Sequence, residues 1–238
     1  MKLLLSFFLV LFSFNAYADD HNDSGPFYAF YHLQVANPAA LVDSMDRFWA
    51  SDCGKQYPAD VALSQEVFNG SYPSTHFIIN TFQNSADQAK AAQLMRSCRA
   101  GIEFLTELAQ AGTVPTTQYM GAAPIDANDW TQDTVFSKFD IIVAPQDQAA
   151  YAAAYNEMMT TVSKDIDLRS YGLGAIYFGR DQFTHWVWTG ARSIPELNTI
   201  SEQMLAHPAF AKFNSEVGNM RTVVNTSQVE VLNGWAKQ

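Results

Sequence analysis

The chain has 238 residues, 48% hydrophobic and 16% charged, enough for one large domain or two small ones that each bury a core. With 14 Lys and Arg against 24 Asp and Glu, its formal net charge is −10 and its isoelectric point about 4.8. That balance excludes a phosphate-tracking basic surface and disfavours nucleic acid and anionic membranes as partners.

The first residues are Lys2, an apolar run from Leu3 to Phe14, and Ala16-Tyr17-Ala18 ahead of Asp19 and Asp20. This is the pattern of a secretory signal peptide over residues 1–18 with an A-x-A cleavage site, and the run is too short for a bilayer span, which takes about 20 residues. The expected mature chain keeps 13 basic and 24 acidic residues, a formal charge of −11. It reads as an exported soluble protein without stable membrane insertion, periplasmic in a Gram-negative source and secreted otherwise. Residues 19–25 read as a flexible acidic lead-in.

A first strand is expected through Tyr31 to Ala36, then a helix on which Leu41, Met45 and Phe48 recur at helical spacing. Val61 to Asn69 supplies a second strand, and Phe77-Ile78-Ile79 a third that is apolar on both faces. Ser85 with Gln88 forms a capping box for a second helix, and Thr117-Gln118 marks a fourth strand. Residues 122–134, with Pro124, Asp126, Asn128 and Asp129, read as a polar linker. The same series then recurs: a strand through Phe139 to Ala144, a helix carrying Tyr151, Tyr155, Met158 and Val162, a strand from Tyr171 to Phe178, Trp186-Val187-Trp188, a Ser193 and Glu196 capping box, and Ser227-Gln228. Gly172 and Gly174 loosen the Tyr171 to Phe178 strand and mark a place where another group approaches the backbone closely. Third strands without alternation fit a sheet covered by helices on one face and by a second sheet on the other. Cys53 and Cys98 are expected to join in an oxidising compartment, closing a loop of about 46 residues; the spacing is not that of a C-x-x-C redox pair. C-x-x-C-H is also absent, which excludes a covalently attached c-type haem.

The recurrence is specific in residues as well as in order. Thr75-His76-Phe77-Ile78 is echoed 109 residues later by Thr184-His185-Trp186-Val187, and the same shift lays Val67-Phe68 over Ile176-Tyr177 and Gly70 over Gly179. Tyr31 to Ala36 lies over Phe139 to Ala144 at 108, the two capping boxes match at 108, and Thr117-Gln118 lies over Ser227-Gln228 at 110. The halves, 26–121 and 135–234, each read β-α-β-β-α-β, the ferredoxin-like order. Two such units in tandem give an α+β protein that resembles a fused dimeric α/β barrel of the antibiotic-biosynthesis-monooxygenase-like superfamily, in which two ferredoxin-like sheets close face to face.

His76 and His185 occupy equivalent places at the starts of the third strands, where an imidazole suits a base near neutral pH. A Thr-His pair there serves equally to satisfy a loop backbone. His32 has Asp140 as its counterpart, so the first strand of both halves carries a polar residue at one place, on the face shared with Phe30 and Gln34. Polar groups among aromatics on a barrel-facing surface suit a small, partly polar ligand, and a hydrogen-bonded core group reads the same way. Tyr177, Phe178, Phe183, Trp186 and Trp188 are dense enough to line a pocket, or to pack two sheets together. Asn80 and Thr189 sit further along the third strands, placed to orient a ligand or to finish the ladder. Metal-ligating and Ser-nucleophile motifs (H-E-x-x-H, G-x-S-x-G) are absent, and no metal site is expected.

The resemblance implies three readings. In a small-monooxygenase reading, an apolar pocket holds an electron-rich phenol or quinol, and His32 or His76 removes its proton so that it reacts with O₂ without a cofactor. In a haem reading, on the pattern of chlorite-dismutase-like proteins, His185 or His207 holds iron. In the third, the chain is an exported binding or stress protein that holds a small apolar molecule, with Asn80, Asp140, Tyr177, His185, Trp186 and Trp188 as the expected ligand contacts. A histidine facing a reachable cavity would favour catalysis; histidines sealed by packing would favour binding. A fused pair closes its own barrel and leaves homodimerisation open.

Overall fold

The computed structural model describes residues 26–179 and 182–238; the expected signal peptide and acidic lead-in lie outside them. The first half runs β1 (Phe27–Gln34), α1 (Pro38–Ala50), β2 (Asp60–Val67), β3 (His76–Phe82), α2 (Ser85–Ser97), α3 (Arg99–Gln110) and β4 (Val114–Ala127). The second runs β5 (Val135–Val143), α4 (Gln148–Val162), β6 (Tyr171–Phe178), β7 (His185–Ala191), α5 (Ile194–Ala206), α6 (Pro208–Val217) and β8 (Arg221–Trp235). Each half forms an antiparallel sheet, β4-β1-β3-β2 and β8-β5-β7-β6, and the pairs β2·β8 and β4·β6 join them into a closed eight-stranded barrel. Closure leaves no sheet edge unpaired.

Alternation then sorts the side chains. Leu41, Met45 and Phe48 of α1, with Phe104 and Leu108 of α3, cover the outer face of the first sheet through Leu63, Ile78 and Phe82. Tyr151, Tyr155 and Met159 of α4, with Phe213 and Val217 of α6, cover the second through Leu173 and Val187. The inner faces form a third core containing Tyr28, Phe30, Phe77, Tyr119, Phe136 and Trp186. Strands buried by helices outside and by the opposite sheet inside account for the lack of polar alternation in β3 and β7.

Several local expectations change. The second helix of each half is two helices, broken at Cys98 and at His207, both in extended backbone. Pro208 enforces the second break, since the residue before proline avoids helical geometry. The cap of α2 is Asn84, whose side chain accepts from Asp87 N at 2.9 Å, rather than Ser85; Ser193 caps α5 as expected. The strand β4 continues to Ala127 and pairs with β6, so the segment read as a linker is strand over its first six residues, followed by a 3₁₀ turn at Trp130–Gln132. Cys53 and Cys98 are disulfide-bonded, with Cα atoms 6.4 Å apart, tying the end of α1 to the α2–α3 break.

The repeat register also shifts. Glu66 N bonds to Thr75 O and Ile176 N to Thr184 O, so the structural partner of Glu66 is Ile176, and Val67 matches Tyr177 rather than Ile176. Pairing to β1 and β5 likewise sets Thr117 against Asn225, not Ser227. A one-residue slip exchanges the two faces of a strand.

Candidate functional site

Along β1 the inward side chains are Tyr28, Phe30 and His32, each about 6.6 Å deeper than the last at ordinary strand rise. Phe136, Lys138 and Asp140 descend β5 in the same way. These two strands set three levels: a mouth, an aromatic chamber and a charged floor.

At the mouth the Tyr28 hydroxyl donates to Asp126 Oδ2 at 2.5 Å, and the Trp130 ring meets Tyr28 edge-on with centroids 6.5 Å apart. Burial pushes the Tyr28 hydroxyl pKa upward and the Asp126 charge adds to it; burial likewise raises Asp126, against the effect of that hydrogen bond. Below lies a cavity of about 70 Å³ walled by Phe30, Phe77, Trp186, Trp188 and Val229, with Ser64 and Lys138 as its polar members. The glycines of β6 make room for the walls: a Cβ on Gly172 would lie 2.1 Å from the Trp188 ring, and one on Gly174 would lie 2.1 Å from the Trp186 ring. The close approach expected at these two positions is therefore made by the two tryptophans.

The floor holds a hydrogen-bonded His32–Glu66 pair and a Lys138–Asp140 ion pair. His32 Nδ1 lies 3.1 Å from Glu66 Oε2, and its Nε2 lies 3.4 Å from the Tyr119 hydroxyl. Lys138 pairs with Asp140, and its Nζ lies 5.3 Å from the Phe183 ring centre and 5.9 Å from that of Tyr119. All four charged or chargeable residues are buried, with His32 and Lys138 each 4% exposed. Burial works to raise the Glu66 carboxyl, but the His32 hydrogen bond and the charges of His32 and Lys138 outweigh it and hold the carboxyl below its usual range. Burial drives the Tyr119 hydroxyl well above its ordinary value, reinforced by Asp140 and Glu66. Phe183 closes the floor from the β6–β7 hairpin, its ring 5.0 Å from that of Tyr119.

Of the expected site residues, the barrel interior brings together His32, Asp140, Trp186 and Trp188. Alternation places His76, Asn80 and His185 on the helix-facing side, since Phe77 and Trp186 point inward. There Thr75 Oγ1 accepts from Val35 N at 3.0 Å and lies 2.9 Å from His76 Nδ1, while Thr184 Oγ1 accepts from Val143 N at 2.9 Å and lies 2.8 Å from His185 Nδ1. The duplicated Thr-His pair thus fastens each hairpin to its neighbouring strand. Burial lowers the His76 pKa, only partly offset by the Glu66 charge. Asn80 meets the Tyr31 hydroxyl. Tyr177 is 58% exposed at the end of β6, where Phe178 on the opposite face is exposed as well.

Sequence reasoning missed Lys138, Glu66, Tyr119, Tyr28 and Trp130. Lys138 was within reach: it precedes Asp140 by two residues and shares its face. Glu66 was hidden by the slipped register of β2 on β6, and Trp130 by its place in the presumed linker.

No family profile matches the chain, and no curated protein is similar to it. Among solved structures, it is similar to a protein of Fusobacterium nucleatum described as a candidate monooxygenase, at 12% identity, TM-score 0.62, and 90% and 95% coverage of the two chains. The fold is that of a fused dimeric α/β barrel. An anthrone oxidase-like protein matches this barrel at 10% identity and TM-score 0.61, covering 90% and 94% of the chains. A haem-binding protein from Thermus thermophilus matches at 9% identity and TM-score 0.52, covering 88% and 92%.

The residues of this barrel do not fit haem. His185 lies buried on the helix-facing side of the second sheet, outside the cavity, with its Nδ1 2.8 Å from Thr184 Oγ1. His207 caps α6: its Nδ1 accepts from Ala209 N at 3.1 Å and its Nε2 lies 3.1 Å from Asp165 Oδ2, which engages both nitrogens. The interior cavity of about 70 Å³ is well short of the roughly 300 Å³ or more usual for cofactor pockets. Among the described residues no group of three or more His, Cys, Asp or Glu is placed to hold a metal ion, and no helix is long and apolar enough to cross a membrane.

Proposed function

We propose that this is an exported protein whose barrel binds one small aromatic or apolar molecule. The observation that carries the reading is the aromatic-walled cavity, reached past Trp130 and floored by a single cation. An apolar cavity of about 150 Å³ accommodates benzene. At about 70 Å³ this one admits a single ring only when Trp130 or a wall tryptophan moves aside, which favours single-ring ligands over larger ones. The test is native mass spectrometry of protein taken from its own compartment, together with tryptophan fluorescence titrated with single-ring aromatics. A protein that carries nothing and answers to none of them is not a binding protein of this kind.

Cofactor-free oxidation of a bound phenol or quinol is the second reading, supported by the monooxygenase and anthrone oxidase-like descriptions of similar folds. Binding is favoured over it by the placement of the histidines. His32 is held by Glu66 and Tyr119 beneath Phe30, and His76 lies outside the barrel wall; neither borders the cavity. Oxygen uptake with a small hydroquinone that is lost in His32→Gln would reverse the preference.

A further inference from the structure

Among the described residues, Lys138 is the only charged side chain bordering the cavity. Its ammonium has three N–H donors, and among the described residues its one hydrogen-bond partner is Asp140. The rings of Phe183 and Tyr119 sit near it, with the Tyr119 hydroxyl directed to His32 Nε2. A buried cation with donors to spare, facing a chamber that is apolar but for Ser64, is a recognition element for an acceptor atom.

Charge decides which acceptor. Asp140 already neutralises Lys138, and Glu66 lies close enough for its own acidity to respond to Lys138, with His32 between Glu66 and Tyr119. A carboxylate ligand would bring a third negative charge to a floor with one fixed positive one, in a setting where charges are poorly screened. A neutral carbonyl or phenolic oxygen accepts from Lys138 without that repulsion. Resting on the binding reading above, we propose that Lys138 makes the site selective for a neutral ligand with one acceptor oxygen on an apolar body, such as an aryl aldehyde, ketone or phenol. Lys138 is then a specificity-determining residue, and the aromatic walls supply the remaining affinity.

Three probes of similar size separate the possibilities: benzaldehyde, toluene and benzoate. The intact protein is expected to bind benzaldehyde about ten- to a hundredfold more tightly than toluene, the range of one hydrogen bond to a charged donor, and to bind benzoate more weakly than benzaldehyde. Lys138→Met alone would strand Asp140, so the variant is Lys138→Met with Asp140→Asn, which removes both charges. In it the preference for benzaldehyde disappears while toluene binding persists. Bound benzaldehyde in the unaltered protein gives a second readout that needs no variant: its carbonyl stretch falls below the frequency found in hexane. Equal binding of toluene and benzaldehyde, an unshifted carbonyl, or benzoate binding most tightly overturns the inference and leaves the binding reading standing; the first two place only water at Lys138. Failure of all three probes to bind refutes the binding reading and this inference with it.

Discussion

Gly174→Ala tests how the cavity is built. A Cβ at this position would lie 2.1 Å from Cε2 and Cζ2 of Trp186 and 2.4 Å from Cη2, and these are its three nearest atoms. Ordinary contact begins near 3.4 Å, so the indole must retreat by about 1 Å or more, a shift that forces neighbours off their rotamers. Overpacking of this kind costs about 1–3 kcal/mol. For a chain of this size each kcal/mol lowers the melting temperature by about 2–4 °C, so a 2 kcal/mol cost corresponds to about 4–8 °C. The cavity lies on the side to which the ring retreats, and with only about 70 Å³ to lose, single-ring ligands should bind at least about tenfold more weakly. A smaller ring relieves the contact, so Trp186→Phe added to Gly174→Ala should recover part of the stability, with a coupling of about 0.5–3 kcal/mol across the double-mutant cycle. Thermal melts by circular dichroism and titration with benzaldehyde measure both effects. An alanine variant that melts and binds like the parent, or a cycle with no coupling, would refute the claim that Gly174 seats the Trp186 ring.

Cys53→Ser should lower stability by about 4 kcal/mol in the chain-entropy description of a 45-residue separation, read as a shift in denaturation midpoint that reductant reproduces in the parent and not in the variant. Expressed in a secretion-competent host, the protein should be recovered outside the cytoplasm with Asp19 as its first residue by Edman sequencing or intact mass; protein retained in the cytoplasm and still beginning at Met1 would end the export reading. Melting temperature should be flat between about pH 7 and pH 9 and fall on acidification in two steps. The His76 pKa is lowered in the fold, so the unfolded chain takes up a proton first and stability drops below about pH 6.5; Glu66 is also lowered, so its contribution is lost further down, as pH falls through its folded pKa. His76→Gln should remove the upper step alone.

The fold was legible because duplication writes the same signals twice. Thr75 and Thr184 fasten hairpins by identical hydrogen bonds, and Gly70 and Gly179 take positive φ, at 59° and 80°, in the same turn. Element order followed, and with it the closed barrel. The interior was less legible, because facing depends on register and register depends on single-residue differences in loop length. Ile176 to Thr184 is one residue shorter than Glu66 to Thr75, so a repeat aligned by residue likeness concealed that Glu66 faces inward, and aromatic density alone did not say which face Tyr177 takes. His76 and His185 misled for the opposite reason: residues kept in both copies report what both copies need, which is attachment of the hairpin.

That contrast separates scaffold from site. The Thr-His pairs and turn glycines that fasten the hairpins match across the halves, whereas the charged inward positions diverge: Phe30 corresponds to Lys138 across the repeat, His32 to Asp140 and Glu66 to Ile176. Packing alone gives no reason for charge there, since replacing buried ion pairs by apolar side chains of similar volume is often neutral or stabilising by about 1–4 kcal/mol. The floor should therefore be dispensable for folding and needed for ligand choice. Changing His32→Leu, Glu66→Met, Lys138→Met and Asp140→Leu together should give a folded barrel that melts no lower than the parent, binds toluene, and no longer prefers benzaldehyde. Melting curves and the two titrations decide the matter. If the quadruple variant fails to fold while Gly174→Ala folds, the polar floor is what fixes the strand register of the closed barrel, because only then would removing its buried pairs cost more than crowding an aromatic wall.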